Sequence, residues 1–305
     1  MIATMLLISA VWAGPSWAAK AREPNYGRTP ENISYSHWLS SGQAGYAIRD
    51  DTPLRNAAYS QGDVLARLPA GAALDIVQRA PFWERIGDLR EPWYTVKLPG
   101  KPGEYAEVWG GNLARAVAEV RLGEKPAFLL VGIASTSRDS RDYPSMPVPF
   151  AQALLISEGR VLGKASVPVV GYIDEGRYPA KWSVEAVDPA KGLGRATQLF
   201  IVKSTFDLRG YEERASLLVW DGANLFDGLD EAGSGGECTE EFSFIFPGDK
   251  YGRPGRVGVE RMAGCEGDDS PPQPVYTYWR WEPGRFVEEP GRYILQDGRW
   301  TTREK

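Results

Sequence analysis

Histidine is nearly missing from this chain of 305 residues, His37 being its one copy. A zinc site built on two or three histidines is therefore excluded. Any Ser-His-Asp or Cys-His arrangement would depend on one imidazole in a Pro/Ser-rich stretch. Cysteine is almost as scarce: Cys238 and Cys265 stand alone, in neither a CxxC nor a zinc spacing. Positive charge is not in excess. The 35 Lys and Arg face 40 Asp and Glu, and the net charge of −5 gives no footprint for nucleic acid and no general attraction to anionic lipid. The glycine-rich pieces GKPGEYAE and GSGGE are followed by neither Lys-Ser/Thr nor a helical pattern, so no phosphate loop is expected. Nothing here calls for a cofactor or a metal. Long helical segments with a polar face are also hard to find.

What the chain does have is turn formers and rings: 34 Gly and 23 Pro, with 11 Trp, 14 Tyr and 10 Phe. Hydrophobic content of 43% and charged content of 25% are those of a globular protein. The expectation is an all-β chain of many short strands, in two domains or one large one. Met1 to Gly14 is apolar and too short to span a bilayer. It ends in Gly14-Pro15, and Ser16-Trp17-Ala18 and Ala19-Lys20-Ala21 both fit small-x-small cleavage sites. Residues 1–18 thus read as a secretory signal peptide, although no Lys or Arg precedes the apolar run. No later stretch is suited to cross a membrane. The implied location is periplasmic or secreted, where an even cysteine count predicts one Cys238–Cys265 disulfide. In the chain-entropy model a loop of that size contributes about 3–4 kcal/mol.

Residues 19–44 lack a period and read as a linker or strap. From residue 45 to 117 short apolar runs alternate with turns. Val64, Ala66 and Leu68 alternate with polar neighbours, as do Leu74, Ile76 and Gln78 after Pro69-Ala70-Gly71, which predicts a hairpin. Tyr94, Val96 and Leu98 alternate again before PGKPG. About five short strands in some 70 residues fit a small, partly open barrel. Four pieces in order carry a family likeness: TPLRNAAYSQGDVLARLPAGAALDIVQ, then WYTVKL (93–98), then a Gly-containing turn, then VWGGNLA (108–114). On these the segment resembles a bacterial SH3-like (SH3b) domain. That makes Trp93 and Trp109 barrel core, has Gly110 and Gly111 permit a positive-φ turn, and sets Leu113 against the core. Two departures stand out. GEYAEVWGG carries extra residues between Tyr105 and Val108, and PFWERIGDLREP (81–92) is longer than a tight hairpin and places Phe82 and Trp83 in a loop. The likeness covers under a quarter of the chain.

Residues 118–305 stay β in pattern and read as a larger antiparallel domain. AFLLVGIAS and QLFIVKSTF are apolar runs of strand length. Hairpins turn at Gly159, Gly222 and Gly284, spaced by about 62 residues, and a shorter one at Gly298, so the domain is either a sandwich or an incomplete propeller-like repeat. It also resembles β-rich regions that follow SH3-like domains in exported bacterial proteins, which implies no chemistry.

Enzymes with SH3b domains are often Cys-His wall peptidases or zinc amidases, and the near-absence of histidine removes both. The carboxylates remain. Residues 228–269 hold ten Asp/Glu against four Lys/Arg; Glu237, Glu240 and Glu241 flank Cys238, and Glu266, Asp268 and Asp269 follow Cys265. A disulfide would bring these groups together, which leaves open a calcium-stabilised adhesion module, though no Asp-x-Asp-x-Asp-Gly loop is present. A carboxylate-dependent hydrolase is a further alternative, and needs two acids facing each other across a cleft. The rings point elsewhere. Seven aromatic residues between Tyr59 and Trp109 are too many for a barrel of this size to bury, and Tyr59 and Trp83 are the candidates for ligand contact, unless they pack on the second domain. In the 276–286 hairpin Tyr276 and Tyr278 share one face and Trp279 and Trp281 the other, which suggests burial between layers. The expectation is a non-enzymatic binding protein whose SH3-like domain contacts peptidoglycan or an envelope protein.

Overall fold

Alternation decides the first sheet. In the computed structural model, which describes residues 39–87, 89–137, 148–170, 181–187, 193, 198–207, 211–236, 238–265, 272–296 and 299–303, the chain begins with six strands. They are β1 (Ala44–Tyr46), β2 (Thr52–Arg55), β3 (Val64–Leu68), β4 (Ala73–Ile86), β5 (Leu89–Lys97) and β6 (Tyr105–Trp109). They form one antiparallel sheet in the order β1-β4-β5-β6-β2-β3. The sheet curls around Leu54, Leu74, Ile76, Tyr94, Val96, Leu98, Ala106, Val108 and Leu113. Tyr94, Val96 and Leu98 lie inside because they are two residues apart.

Two expectations change here. The runs on either side of Pro69–Gly71 are not a hairpin: β3 bonds to β2, and β4 to β1 and β5. The turn instead carries the chain from one edge of the curled sheet toward the other. Gly71 donates to Ala47 O at 2.7 Å and has φ +85°, and a Cβ there would lie 2.7 Å from Ile156 Cδ1. Only glycine suits both the angle and the gap. Nor is 81–92 a loop. After a register shift β4 and β5 continue as a ladder through Trp83↔Pro92 and Glu84↔Glu91 to Ile86↔Leu89. The extra length is strand, and Phe82 and Trp83 lie in β4.

The rest of the described chain is also antiparallel β. Strands β7 (Ala116–Leu122), β8 (Lys125–Ser137), β9 (Val148–Ser157) and β10 (Arg160–Pro168) make a four-stranded meander. A ten-stranded sheet follows: β11 (Lys181–Val187), β12 (Gln198–Asp207), β13 (Tyr211–Trp220), β14 (Leu225–Ser234), β15 (Cys238–Ile245), β16 (Arg256–Cys265), β17 (Val275–Glu282), β18 (Arg285–Glu288), β19 (Arg292–Gln296) and β20 (Arg299–Arg303). The hairpins turned at Gly159, Gly222 and Gly284 belong to these two continuous sheets and are not separate blades. Among the described residues no helix is long and apolar enough to cross a membrane.

The sheets stack. Ala127, Leu129, Val131, Ala153 and Leu155 of β8 and β9 pack on Phe200, Val202, Leu218 and Trp220 of β12 and β13, with β7 beside β11 and β10 beside β14. The opposite face of β8 and β9 presents Leu130, Leu154 and Ile156 to Ile48, Ala70 and Ala114. The opposite face of β12 to β14 meets Phe246, Val257, Trp279, Trp281 and Phe286. Both middle layers are thus apolar on both faces, which is why AFLLVGIAS and QLFIVKSTF read as unbroken runs. Each fully buried Leu or Phe in such a layer contributes about 1.5–3 kcal/mol.

Cys238 and Cys265 face each other on β15 and β16 and form a disulfide. Residues 1–18, expected to be a signal peptide, most of 19–44, expected to be a strap, and His37, Glu237, Glu266, Asp268, Asp269 and Gly298 lie outside the described residues.

Candidate binding site

One carboxylate organises the region where the sequence places its candidate rings. The loop 56–63 joins β2 to β3 and is closed on itself: Asn56 Nδ2 donates to Asp63 Oδ2 at 3.0 Å, and Asp63 N to Asn56 Oδ1 at 2.9 Å. Tyr59 N and Gly62 N donate to Ala57 O and Tyr59 O, at 2.9 and 3.1 Å. The loop is then fastened to the β4–β5 ladder by Glu84. Its Oε2 accepts from Ser60 N at 2.8 Å and from the Trp93 indole at 3.0 Å, and its Oε1 accepts from the Ser60 hydroxyl. The Trp109 indole donates to the Glu84 backbone oxygen at 3.1 Å.

Tyr59 therefore stands on a loop whose next residue is pinned. Its side chain is 51% exposed. Trp83 precedes the pinning residue on β4 and is half-buried, with the Arg90 guanidinium 5.9 Å from its ring centre. The Ser60–Glu84 bonds thus adjoin both candidates in the chain, while alternation along β4 turns Trp83 to the face opposite Glu84. Val64 and Leu65 of edge strand β3 are exposed as well.

Trp93 and Trp109 are opposite one another on β5 and β6 and are 1% and 3% exposed. They pack with Ala80, Leu89, Ile133, Phe82, Ile86 and Trp182, a cluster separate from the one that the sheet curls around. Ile133 and Trp182 come from β8 and β11, so the two indoles fill the joint between the curled sheet and the layers behind it. The glycines after Trp109 serve that joint. Neither has positive φ, against the expectation of a left-handed turn. Gly110–Asn112 is a 3-10 turn. A Cβ on Gly111 would lie 2.2 Å from the Trp109 ring, and one on Gly110 2.8 Å from Pro92 O. Close approach, not φ, requires glycine at both positions.

Beneath this turn lies an ion pair. Arg115 donates to Glu91, and both side chains are 1% exposed. Arg115 also reaches Tyr94 Oη and Gly110 O, each at 3.3 Å. Burial pushes the Glu91 carboxyl up against the pull of Arg115. Burial alone would lower Arg115, but Glu91 and Tyr94 beside it outweigh that and hold it protonated.

The carboxylates of the larger domain are arranged differently. Glu231 and Glu240 both pair with Arg261. Asp227 and Asp230 share strand β14, across the register shift opposite Leu217/Leu218, and Ser216 Oγ donates to Asp230. Lost water and the Asp230 charge raise Asp227 to about 7. Neighbours on one strand are not two acids facing each other across a cleft. Among the described residues no group of three or more His, Cys, Asp or Glu could hold a metal ion.

Glu84 and Arg90 escape a reading of the sequence. The signal for Glu84 was present in kind, since two buried indoles need acceptors, but no spacing rule says which acceptor. The chain matches no protein-family model and no curated protein sequence.

Proposed function

We propose that this is an exported, non-enzymatic binding protein of the cell envelope. Its curled N-terminal sheet contacts peptidoglycan or an envelope protein through Tyr59 and Trp83. The resemblance of residues 45–117 to SH3-like domains supports the class of ligand, and the leader-like N-terminus supports the location. The observation that carries the reading is the exposed Tyr59 ring on a loop bonded to itself and to Glu84. A pre-ordered aromatic loses little entropy on binding, and rings of this kind stack on sugars or grip peptide stems.

The test is co-sedimentation of the mature protein with purified, insoluble peptidoglycan, alongside Tyr59→Ala and Trp83→Ala. Wild type in the pellet, with a loss of about tenfold or more in affinity for the variants, is expected, as for truncation of an aromatic anchor. Wild type that stays in the supernatant rules out the wall as ligand. Pelleting that both variants retain moves the site off these rings.

A further inference from the structure

Between β15 and β16 the chain reads FPGDKYGRPG over residues 246–255. This strap lies over the face of β17 and β19 that carries Tyr276, Tyr278 and Tyr293, of which Tyr276 and Tyr293 are cross-strand partners. The Tyr278 and Tyr293 rings are 5.7 Å apart at 68° and form a corner. Into it the strap puts the Arg253 guanidinium, 4.0 Å from the centre of each ring. Tyr251 of the strap meets Tyr276 edge-on at 5.4 Å, and the Tyr276 hydroxyl donates to Glu260 at 2.6 Å. Two phenol rings thus face a planar cation, with a second ring pair and a carboxylate alongside. Ring faces attract weakly hydrated cations such as guanidinium and methylated ammonium, and the same geometry does not strip water from a small metal ion.

The strap has turns of its own. Asp249 N bonds to Phe246 O and Gly252 N to Asp249 O, at 2.8 and 2.9 Å, so it holds its own shape. Pro247-Gly248 and Pro254-Gly255 bracket it. Nothing lies within 4 Å of where a Gly248 Cβ would be, and Gly255 has φ +69°. Such positions absorb backbone rotation at a hinge. Phe246 anchors the start of the strap in the cluster of Val257, Trp279 and Trp281, and beyond it the strap meets the sheet through Arg253, through the Tyr251 ring on Tyr276 and through Tyr251 O, which accepts from Tyr278 Oη at 2.7 Å.

We propose that the tyrosine corner is a cation-binding site that Arg253 occupies in cis. When the strap swings out, the corner takes a guanidinium or methylated ammonium group from a ligand. The inference is independent of Tyr59 and Trp83.

The experiment titrates the full-length mature chain, wild type and Arg253→Ala, with methylguanidinium and with tetramethylammonium, followed by saturation-transfer NMR. Methylurea, of similar shape and no charge, is the control. Arg253→Ala should bind both cations saturably and ignore methylurea, and Arg253→Ala/Tyr293→Leu should lose the binding. Wild type should bind about tenfold more weakly, because its competent state is only fractionally open. A folded Arg253→Ala that binds no cation, or binds it equally without Tyr293, overturns the site and leaves Arg253 a fixed peg. Should Arg253→Ala fail to fold, the ring resonances of wild type decide. Shifts of the Tyr278 and Tyr293 ring protons with tetramethylammonium, and not with methylurea, support the swing; unchanged resonances at saturating cation overturn it.

Discussion

In the curled sheet, the Glu84 and Glu91 carboxylates each sit against donors: the Trp93 indole and the Ser60 amide and hydroxyl around the first, a buried guanidinium against the second. On β14, Asp227 and Asp230 share a strand, and lost water and then the Asp230 charge raise Asp227 to about 7. The same functional group ties three pieces of chain together in one region and crowds itself in the other. The difference lies in the group set against each carboxylate: a guanidinium beside Glu91, a second carboxylate beside Asp227. A buried carboxylate stabilises when its donors are already in place, and costs free energy when its neighbour is a second carboxylate.

That contrast is broken most severely at Arg115. Arg115→Met leaves Glu91 enclosed without its partner, and should cost about 3–5 kcal/mol in urea unfolding at neutral pH. A loss under 1 kcal/mol would mean that Glu91 is readily hydrated and that the two regions do not differ. Glu84→Gln comes next. An amide keeps one accepting oxygen but turns a donor toward Ser60 or the Trp93 indole, so a loss of about 2 kcal/mol is expected. The Ser60 amide should exchange faster with solvent, and an unchanged rate there would show the loop held by other means.

The smallest effect lies on β14 and has the opposite sign. An Asp whose folded pKa of about 7 stands above its ordinary 3.8 binds its proton more tightly in the folded chain. Its contribution is fully present below the unfolded value and is lost as pH rises through the folded one. Asp227→Asn should therefore flatten the decline in melting temperature between about pH 4 and pH 7, and make the variant the more stable protein at pH 8. Parallel melting curves against pH for the two proteins would remove the like-charge account.

The fold class was legible because alternation and turn residues are local. Tyr94, Val96 and Leu98 announce their common face, and AFLLVGIAS announces a strand covered on both sides. Pairing partners were less legible. Nothing within 64–78 says that β3 lies at one edge of a curled sheet and β4 between β1 and β5 toward the other, since any Pro/Gly turn between alternating runs looks like a hairpin. The length of 81–92 was visible but not its conformation, because a bulge resets the alternation between Arg79 and Trp83. Gly110 and Gly111 were identified as necessary for the wrong reason: sequence shows that a side chain is missing, not whether an angle or a neighbour forbids it. At the candidate site Tyr59 and Trp83 stood out as surplus rings, whereas Glu84 was one acid among 40 Asp and Glu.

The sheet β7–β10 shows one face to Ile48, Ala70 and Ala114 and the other to Phe200 and Leu218. Residues 45–117 are therefore not a cassette. Cut away and fused to another protein, they would uncover Ile48, Ala70 and Ala114 and would part Trp93 and Trp109 from Ile133 and Trp182. Where a bead-on-a-string domain can be shuffled between genes by recombination at its linker, this one carries a surface fitted to a single neighbour. Its inheritance is tied to that neighbour, and substitutions at Ile48 or Ile156 should be accepted only in step with their opposite numbers.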